Sequence, residues 1–250
     1  MLIDSHCHLL SSEYDNLSVV IEKSLKYVDK LIINGYDYKT SKEAIEIANK
    51  YENIYATVGI GPEEVDTINE NDIKKIEKLI NNNNKVVGIG EIGLDYYWTK
   101  DNKEKQIFVF KNMLSLAKKY NKPVIIHSRE SINDVYNLLN EYKLNGIMHC
   151  YSGSYEMAKE FIKIGFLIGV GGVVTFKNAK NIKEVVKKID ISSIALETDS
   201  PYLSPEPKRG TKNDSSNLLY IVQSISKLKE ISTNSVINET GISVSKMFNI

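Results

Sequence analysis

Only two of the 32 basic side chains are arginine, Arg129 and Arg209, and there is a single tryptophan, Trp98. Cysteine is equally scarce, with Cys7 and Cys150 far apart in the chain. Two cysteines build no disulfide framework, and each reads as a small buried hydrophobe rather than a ligand. Proline, at 5 residues, and glycine, at 14, are too few for a low-complexity chain. Excess charge of either sign is absent, with 32 basic against 32 acidic residues. No global field therefore draws the chain onto nucleic acid or a membrane, and any polyanion must be held by a local patch. No apolar run approaches the roughly 18 residues of a membrane span, and the opening MLIDSH, charged at position 4, does not read as a signal peptide. What remains is the expectation of a cytoplasmic enzyme or binding domain.

The 250 residues, 42% apolar and 26% charged, are enough for one large α/β domain or two small ones. Near-continuous apolar runs recur along the chain (KLIING, KVVGIG, PVIIH, IALET), as in strands covered on both faces. Strands are expected at Leu2–Ser5, Lys30–Asn34, Ile54–Gly59, Lys85–Gly90, Pro123–His127, Gly146–His149, Leu167–Val170 and Ser193–Glu197. Stretches of helical period lie between them, the longest being Lys103–Tyr120, and two more, Ser215–Lys229 and Asn234–Phe248, follow the last strand. The run NNNN at 81–84 reads as a polar turn into the fourth strand. Eight strands alternating with helices, with no linker or composition break, predict a (β/α)8 barrel of one domain over residues 1–250. An open doubly wound sheet is the competing architecture.

The stretch KVVGIGEIGLDYYW contains a literal G-x-G-x-x-G at Gly88, Gly90 and Gly93. A dinucleotide fingerprint needs a helix straight after its third glycine, and here LDYYWTKDN follows. The glycines read instead as clearance, letting ions and a substrate approach the backbone beside Glu91. GVGGVV at 169–174 likewise lacks the Lys-Ser/Thr of a phosphate loop and reads as small residues in a barrel strand.

All four histidines fall at or just beyond the C-terminal end of an expected strand: His6 and His8 in IDSHCH, His127 in VIIHSRE, His149 in GIMHCYSG. Glu91 and Asp199, the latter in ALETDSPYL, stand at equivalent places. In a (β/α)8 barrel those ends form one face, where active sites lie. Strand alternation puts His6 and His8 on one side and turns Cys7 toward the helix layer. A lone histidine on a strand is ordinarily a core residue, but four at one face with two carboxylates are not explained that way. They exceed one tetrahedral ion and suit two divalent ions sharing a carboxylate, with Glu91 the natural bridge. The mixed nitrogen and oxygen donors suit Zn, Mn, Ni or Fe, with Mg as a further option.

These residues resemble the TatD-type metal-dependent hydrolases and deoxyribonucleases of the amidohydrolase-like superfamily. The matching blocks are IDSHCHL, GEIGLDYY, KPVIIHSRE, HCYSG, GVGGVVTFKNA, LETDSPYLSP and PEPKRG, in the family's order and over nearly the whole chain. The resemblance implies that His6, His8 and Asp199 hold one metal, His127 and His149 the other, with Glu91 between. Two departures stand out: GIGP carries Gly61 where such proteins often have histidine, and KRGTKNDSS keeps Arg209, Gly210 and Asn213 of H-R-G-x-x-N-E-P but not Lys208, Asp214 and Ser215. Both bear on rate and substrate preference, not on the ligand set.

Two ions would activate a water, Asp199 would orient it and receive its proton, and the electrophile would be a phosphodiester. Arg129 and Arg209 suit phosphate, because guanidinium makes bidentate contacts that lysine cannot. Tyr96, Tyr97 and Trp98, beside Glu91, either stack on a terminal base or close the barrel rim. The leading expectation is a deoxyribonuclease with 3′–5′ exonuclease-like action on DNA ends or single strands, with no membrane and no obligate protein partner. The alternatives are hydrolysis of a small-molecule ester, lactone or amide, and a weakly active metal-binding homologue, which Gly61 allows. The absence of a carboxylated-lysine signature on strand four, where Glu91 stands, leans toward the nuclease-like branch.

Overall fold

The apolar runs pair side by side in the order in which they occur. In the computed structural model, which describes residues 1–81 and 83–250, the strands are β1 (Ile3–Cys7), β2 (Lys30–Asn34), β3 (Ile54–Val58), β4 (Val86–Asp95), β5 (Val124–Arg129), β6 (Gly146–Met148), β7 (Phe166–Val170) and β8 (Ile194–Leu196). Every ladder is parallel, and strand order follows sequence order. Around them lie α1 (Leu17–Ser24), α2 (Tyr38–Ala48), α3 (Glu70–Asn81), α4 (Lys103–Tyr120), α5 (Ile132–Tyr142), α6 (Tyr155–Lys163), α7 (Lys180–Lys188), α8 (Leu218–Lys229) and α9 (Thr233–Phe248). The fold is a (β/α)8 barrel. The polar turn expected at 81–84 lies partly outside the described residues.

Two apolar layers hold it. Ile3, Ile32, Val87, Ile125, Ile147, Leu167 and Ala195 pack together, with Val244 and Phe248 of α9 against them. The larger layer packs the outward-facing strand residues, such as Ile33, Val58, Ile126 and Ile168, against helix residues such as Phe110, Phe161, Val185 and Ile221. Each fully buried aliphatic side chain contributes about 1.5–3 kcal/mol relative to exposure. Helix starts are marked where the sequence provides a cap: Asp37 accepts from Thr40 N–H at α2, Ser154 from Met157 N–H at α6, and Ser232 from Ser235 N–H at α9.

Among the described residues the regular ladders run from β1 to β8 and stop there. The ring is joined between β8 and β1 by separate bonds. Ser5 Oγ donates to Leu196 O, Asp199 N–H to His6 O, and His8 N–H to Ser200 O. Asp4, fully buried, accepts from both the N–H (3.0 Å) and the hydroxyl (2.6 Å) of Thr198. Burial pushes its carboxyl up to about 6, against the pull of those donors.

Two register shifts shape the face above. In β1 the shift lies between Asp4 and Cys7, where Asp4 also accepts from His6 N–H. It turns Cys7 outward, its thiol on Ile32 O. In β4 the shift lies between Ile89 and Ile92, and Glu91 N–H crosses to Gly35 O. Such bulges re-aim side chains that strict alternation would place elsewhere. β4 then continues to Asp95, so Glu91 sits inside the strand, not at its end as expected from Lys85–Gly90.

The glycines of the G-x-G-x-x-G are a second correction. Expected to clear room for ions, they clear room for neighbouring protein. A Cβ on Gly93, whose φ is +151°, would stand 1.9 Å from the His127 carbonyl oxygen, and one on Gly90 would meet the Ile125 side chain at 2.7 Å. They let β4 lie close against β5.

Candidate metal centre

The bulge of β1 aims His6 and His8 into the barrel mouth, β5 supplies His127, and the residue after β6 supplies His149. Asp199 follows β8, its backbone in the left-handed region at φ +55°. Glu91 stands among the four rings, and its two oxygens divide them. Oε2 lies 3.4 Å from His6 Nε2 and 3.3 Å from His8 Nε2. Oε1 lies 3.0 Å from His127 Nδ1 and 3.7 Å from His149 Nε2. Asp199 Oδ1 faces the first pair, at 3.5 Å from His6 and 3.7 Å from His8. The six residues predicted as ligands are therefore brought together, and three overlapping groups of them have donor atoms close enough to share a cation.

The electrostatics fit that role. Burial opposes charge on His6, but hydrogen bonds to Asp199 and Glu91 outweigh it and carry its pKa up to about 10. His127 behaves alike, burial being overcome by Asp95 and Glu91, and also reaches about 10. Burial alone would raise Glu91, yet His149 and its hydrogen bonds to the other rings hold it well below the carboxylate range. Asp199 is lowered by the His149 and His6 rings against its own burial. In the metal-free protein, protons thus stand where cations would.

Those pairings stabilise the metal-free fold fully below about pH 6.5, and the contribution fades as pH rises toward 10. Cations taking these rings, one on each side of Glu91, must each displace a proton, so the apparent affinity of each should rise about tenfold per pH unit. Titrating Zn²⁺ into metal-free protein by calorimetry at pH 7, in buffers of different ionisation enthalpy, should show two protons released. Uptake with no proton release would contradict the ring assignments.

Sequence reasoning missed three residues that stand behind the rings. Asp95 Oδ2 lies 2.9 Å from His127 Nε2, Glu197 Oε1 lies 3.6 Å from His149 Nδ1, and the Asn34 carbonyl accepts from His8 Nδ1 at 2.9 Å. The only signal was position: Asp95 and Glu197 sit inside the motif blocks GLDYY and LETD.

The predicted substrate residues separate. Arg129 and Trp98 line a cavity of about 570 Å³ together with His127, His149 and Asp199. The Arg129 guanidinium lies 3.6 Å from the Tyr97 ring centroid and 5.3 Å from that of Trp98. Tyr96 is buried, its hydroxyl bonded to Asp134 and Lys103 over its ring, which leaves no face for a base. Arg209 is exposed, lies over Phe176 and 3.9 Å from Glu206, and lines neither cavity at the centre. A second cavity, of about 270 Å³, is bounded by Tyr36, Gly61, Glu63, Glu64 and Tyr202. Gly61 is helped by no special backbone, its φ being −71°, and a Cβ there would only touch Tyr36 at 3.4 Å. Asp214, the other departure, pairs with Lys23 at 2.6 Å and caps the turn before α8.

Among the described residues no helix is long and apolar enough to cross a membrane. A profile of the family described as TatD related DNase matches residues 3–249. YabD of Bacillus subtilis, named an uncharacterized metal-dependent hydrolase, is 41% identical over 255 aligned residues covering the whole of both chains. A metal-dependent hydrolase of Methanocaldococcus jannaschii is 36% identical over 94% of this chain and 91% of its own. Among solved structures, the Escherichia coli TatD homolog YjjV superposes with a TM-score of 0.91 at 26% identity, covering 100% of this chain and 98% of its own. A TatD family hydrolase of Entamoeba histolytica gives 0.88 at 25% identity, with 99% and 97% covered. With the donor cluster at the barrel mouth and these relatives over its full length, the chain is a metal-dependent hydrolase and belongs to the TatD-related DNase family.

Proposed function

We propose that the protein is a two-metal phosphodiesterase that removes nucleotides from the 3′ ends of DNA. The observation that carries this reading is the division of donors by Glu91: Oε2 toward His6 and His8, Oε1 toward His127 and His149. His6, His8 and Asp199 would hold one ion, His127 and His149 the other, and Glu91 would bridge. The donors are buried, converge on one cavity and mix imidazole with carboxylate, which fits Zn, Mn, Ni, Fe or Mg. When bound, such ions acidify a water and neutralise charge on the oxygens of an in-line displacement.

The chain's own residues do the rest. Asp199, at the floor of the larger cavity, orients the attacking water and accepts its proton. Arg129, held flat on Tyr97, offers a fork to the scissile phosphate, while Trp98, 68% exposed, gives a terminal base a surface to stack on. Glu63 and Glu64 line the neighbouring cavity, and Glu63 also borders that of Arg129, so their charge would repel a phosphate chain continuing past the site. That asymmetry favours an end over an internal bond.

The test is Mn²⁺-loaded protein incubated with 5′-labelled single-stranded and duplex DNA, beside a panel of esters, lactones and amides. Progressive shortening from the 3′ end, faster on single strands, is the expected result. Turnover of a panel compound with intact DNA would move the function to small molecules. Bound metal without turnover of either would leave a metal-binding homologue.

A further inference from the structure

The four rings of the centre are not held equally from behind. His8 gives its outer nitrogen to a neutral carbonyl, that of Asn34, and His6 Nδ1 has no partner. The two rings on the Oε1 side of Glu91 instead face carboxylates, Asp95 behind His127 and Glu197 behind His149. This difference matches a difference in donor count. Asp199 lies within 3.7 Å of both rings on the Oε2 side, whereas on the Oε1 side it joins only His149, in a wider grouping of donor atoms within 4.8 Å of one another, and Glu91 is the one carboxylate that both rings share.

Both carboxylates are fixed independently of the rings. Asp95 is buried, its Oδ1 accepts from Tyr97 N–H at 2.9 Å, and its backbone exchanges two bonds with the Gln106 side chain of α4. Glu197 has no exposed surface, and its Oε1 accepts from Cys150 N–H at 2.6 Å, so it grips the residue next to His149. Gly169 of β7 makes the room: a Cβ there would stand 2.6 Å from Glu197 Oε2. That Oε2 and His149 Nδ1 are both buried without a hydrogen-bond partner, in neighbouring positions. With Glu197 Oε1 3.6 Å away, a small turn of the ring would give His149 a carboxylate acceptor, and donating to a carboxylate makes an imidazole a better-oriented and more basic ligand through its other nitrogen.

Resting on the two-ion reading above, we propose that Glu197 and Asp95 are positioning residues for the donor-poor cation position, fixing His149 and His127 so that two rings and one shared carboxylate suffice to hold an ion. Neither touches the cation or the substrate. The donor-rich position, backed by Asn34, does not depend on them.

The test is a stepwise Zn²⁺ titration of metal-free wild type, Glu197→Gln and Asp95→Asn by calorimetry. Glutamine keeps an acceptor for Cys150 N–H, and thermal unfolding of each metal-free variant checks the fold. The wild type should take up two equivalents. In each variant one equivalent should weaken by about 10–100-fold while the other keeps its affinity. Glu197→Asp, too short to reach the ring, should behave as Glu197→Gln does. Unchanged isotherms, or both equivalents weakened alike, would overturn the positioning role, the latter marking a merely structural one. A wild type binding one equivalent would overturn the two-ion reading instead, and is seen before any variant is made.

Discussion

Glu91→Ala leaves the barrel folded, unable to hold its full complement of cations, and inactive on every substrate the wild type turns over. The expectation follows from one carboxylate lying within 3.7 Å of a nitrogen on each of four rings, where Asp199 reaches only two. Without it the rings on the Oε1 side have no anion between them. The fold should survive because the strand is held by backbone: Glu91 N–H still reaches Gly35 O, and Ile89 and Ile92 remain buried. Removing one partner of a buried charge pair costs about 3–5 kcal/mol. Here the loss in the metal-free variant should be largest where the rings stay protonated and should shrink at higher pH as they shed their protons. Elemental analysis and thermal unfolding of metal-free and loaded protein, at pH 6 and pH 9, measure both effects. Wild-type metal content together with wild-type turnover in Glu91→Ala would remove the bridge from the account.

Asp199→Asn is expected to lower kcat by about 10²–10⁴-fold at saturating cation, the range for loss of a positioned general base. The substitution is selective because the structural duty of this residue belongs to its backbone, whose N–H donates to His6 O. Asparagine keeps an oxygen toward His6 and His8, so a cation can still be held there at high concentration, but an amide accepts no proton from water. KM should move less than kcat, since Arg129, at the end of β5, and Trp98, in the loop after β4, are untouched. Measuring kcat across a cation titration separates the two roles of Asp199. Recovery to within tenfold of wild type at saturating Mn²⁺ would show that it serves only as a ligand.

The parts of the centre that sequence revealed are those set by chemistry and strand count. Histidine is scarce, and its four copies each close an apolar run, so a parallel barrel brings them to one face. Alternation around H-C-H paired His6 with His8 correctly, but only because the register shift before Cys7 resets a strand whose Ile3 already faces inward. A bulge has no residue signature here, and the same is true of the irregularity at Glu91, which is why the expected β4 ends five residues early, at Gly90 instead of Asp95. The outer carboxylates were hidden for another reason. Asp95 and Glu197 each face a ring more than 30 residues away in sequence, and only their place inside the blocks GLDYY and LETD marks them. Tyr96 and Tyr97 are neighbours of one residue type, yet one is buried against Asp134 and the other half exposed under Arg129. Only packing tells them apart.

The joint between β8 and β1 gives the centre a place in the life of the chain. His6 and His8 are synthesised well before Asp199, which bonds back to His6 O across that joint and comes nearly 200 residues later. Joining the two ends of the ring carries an entropic cost, one that grows only slowly with the length between them, and a cation gripped from both sides would offset part of it. A nascent barrel lacking its last strand has neither the closing bonds nor the second carboxylate. The grouping of His6 and His8 with Asp199 is thus completed by the same event that completes the ring.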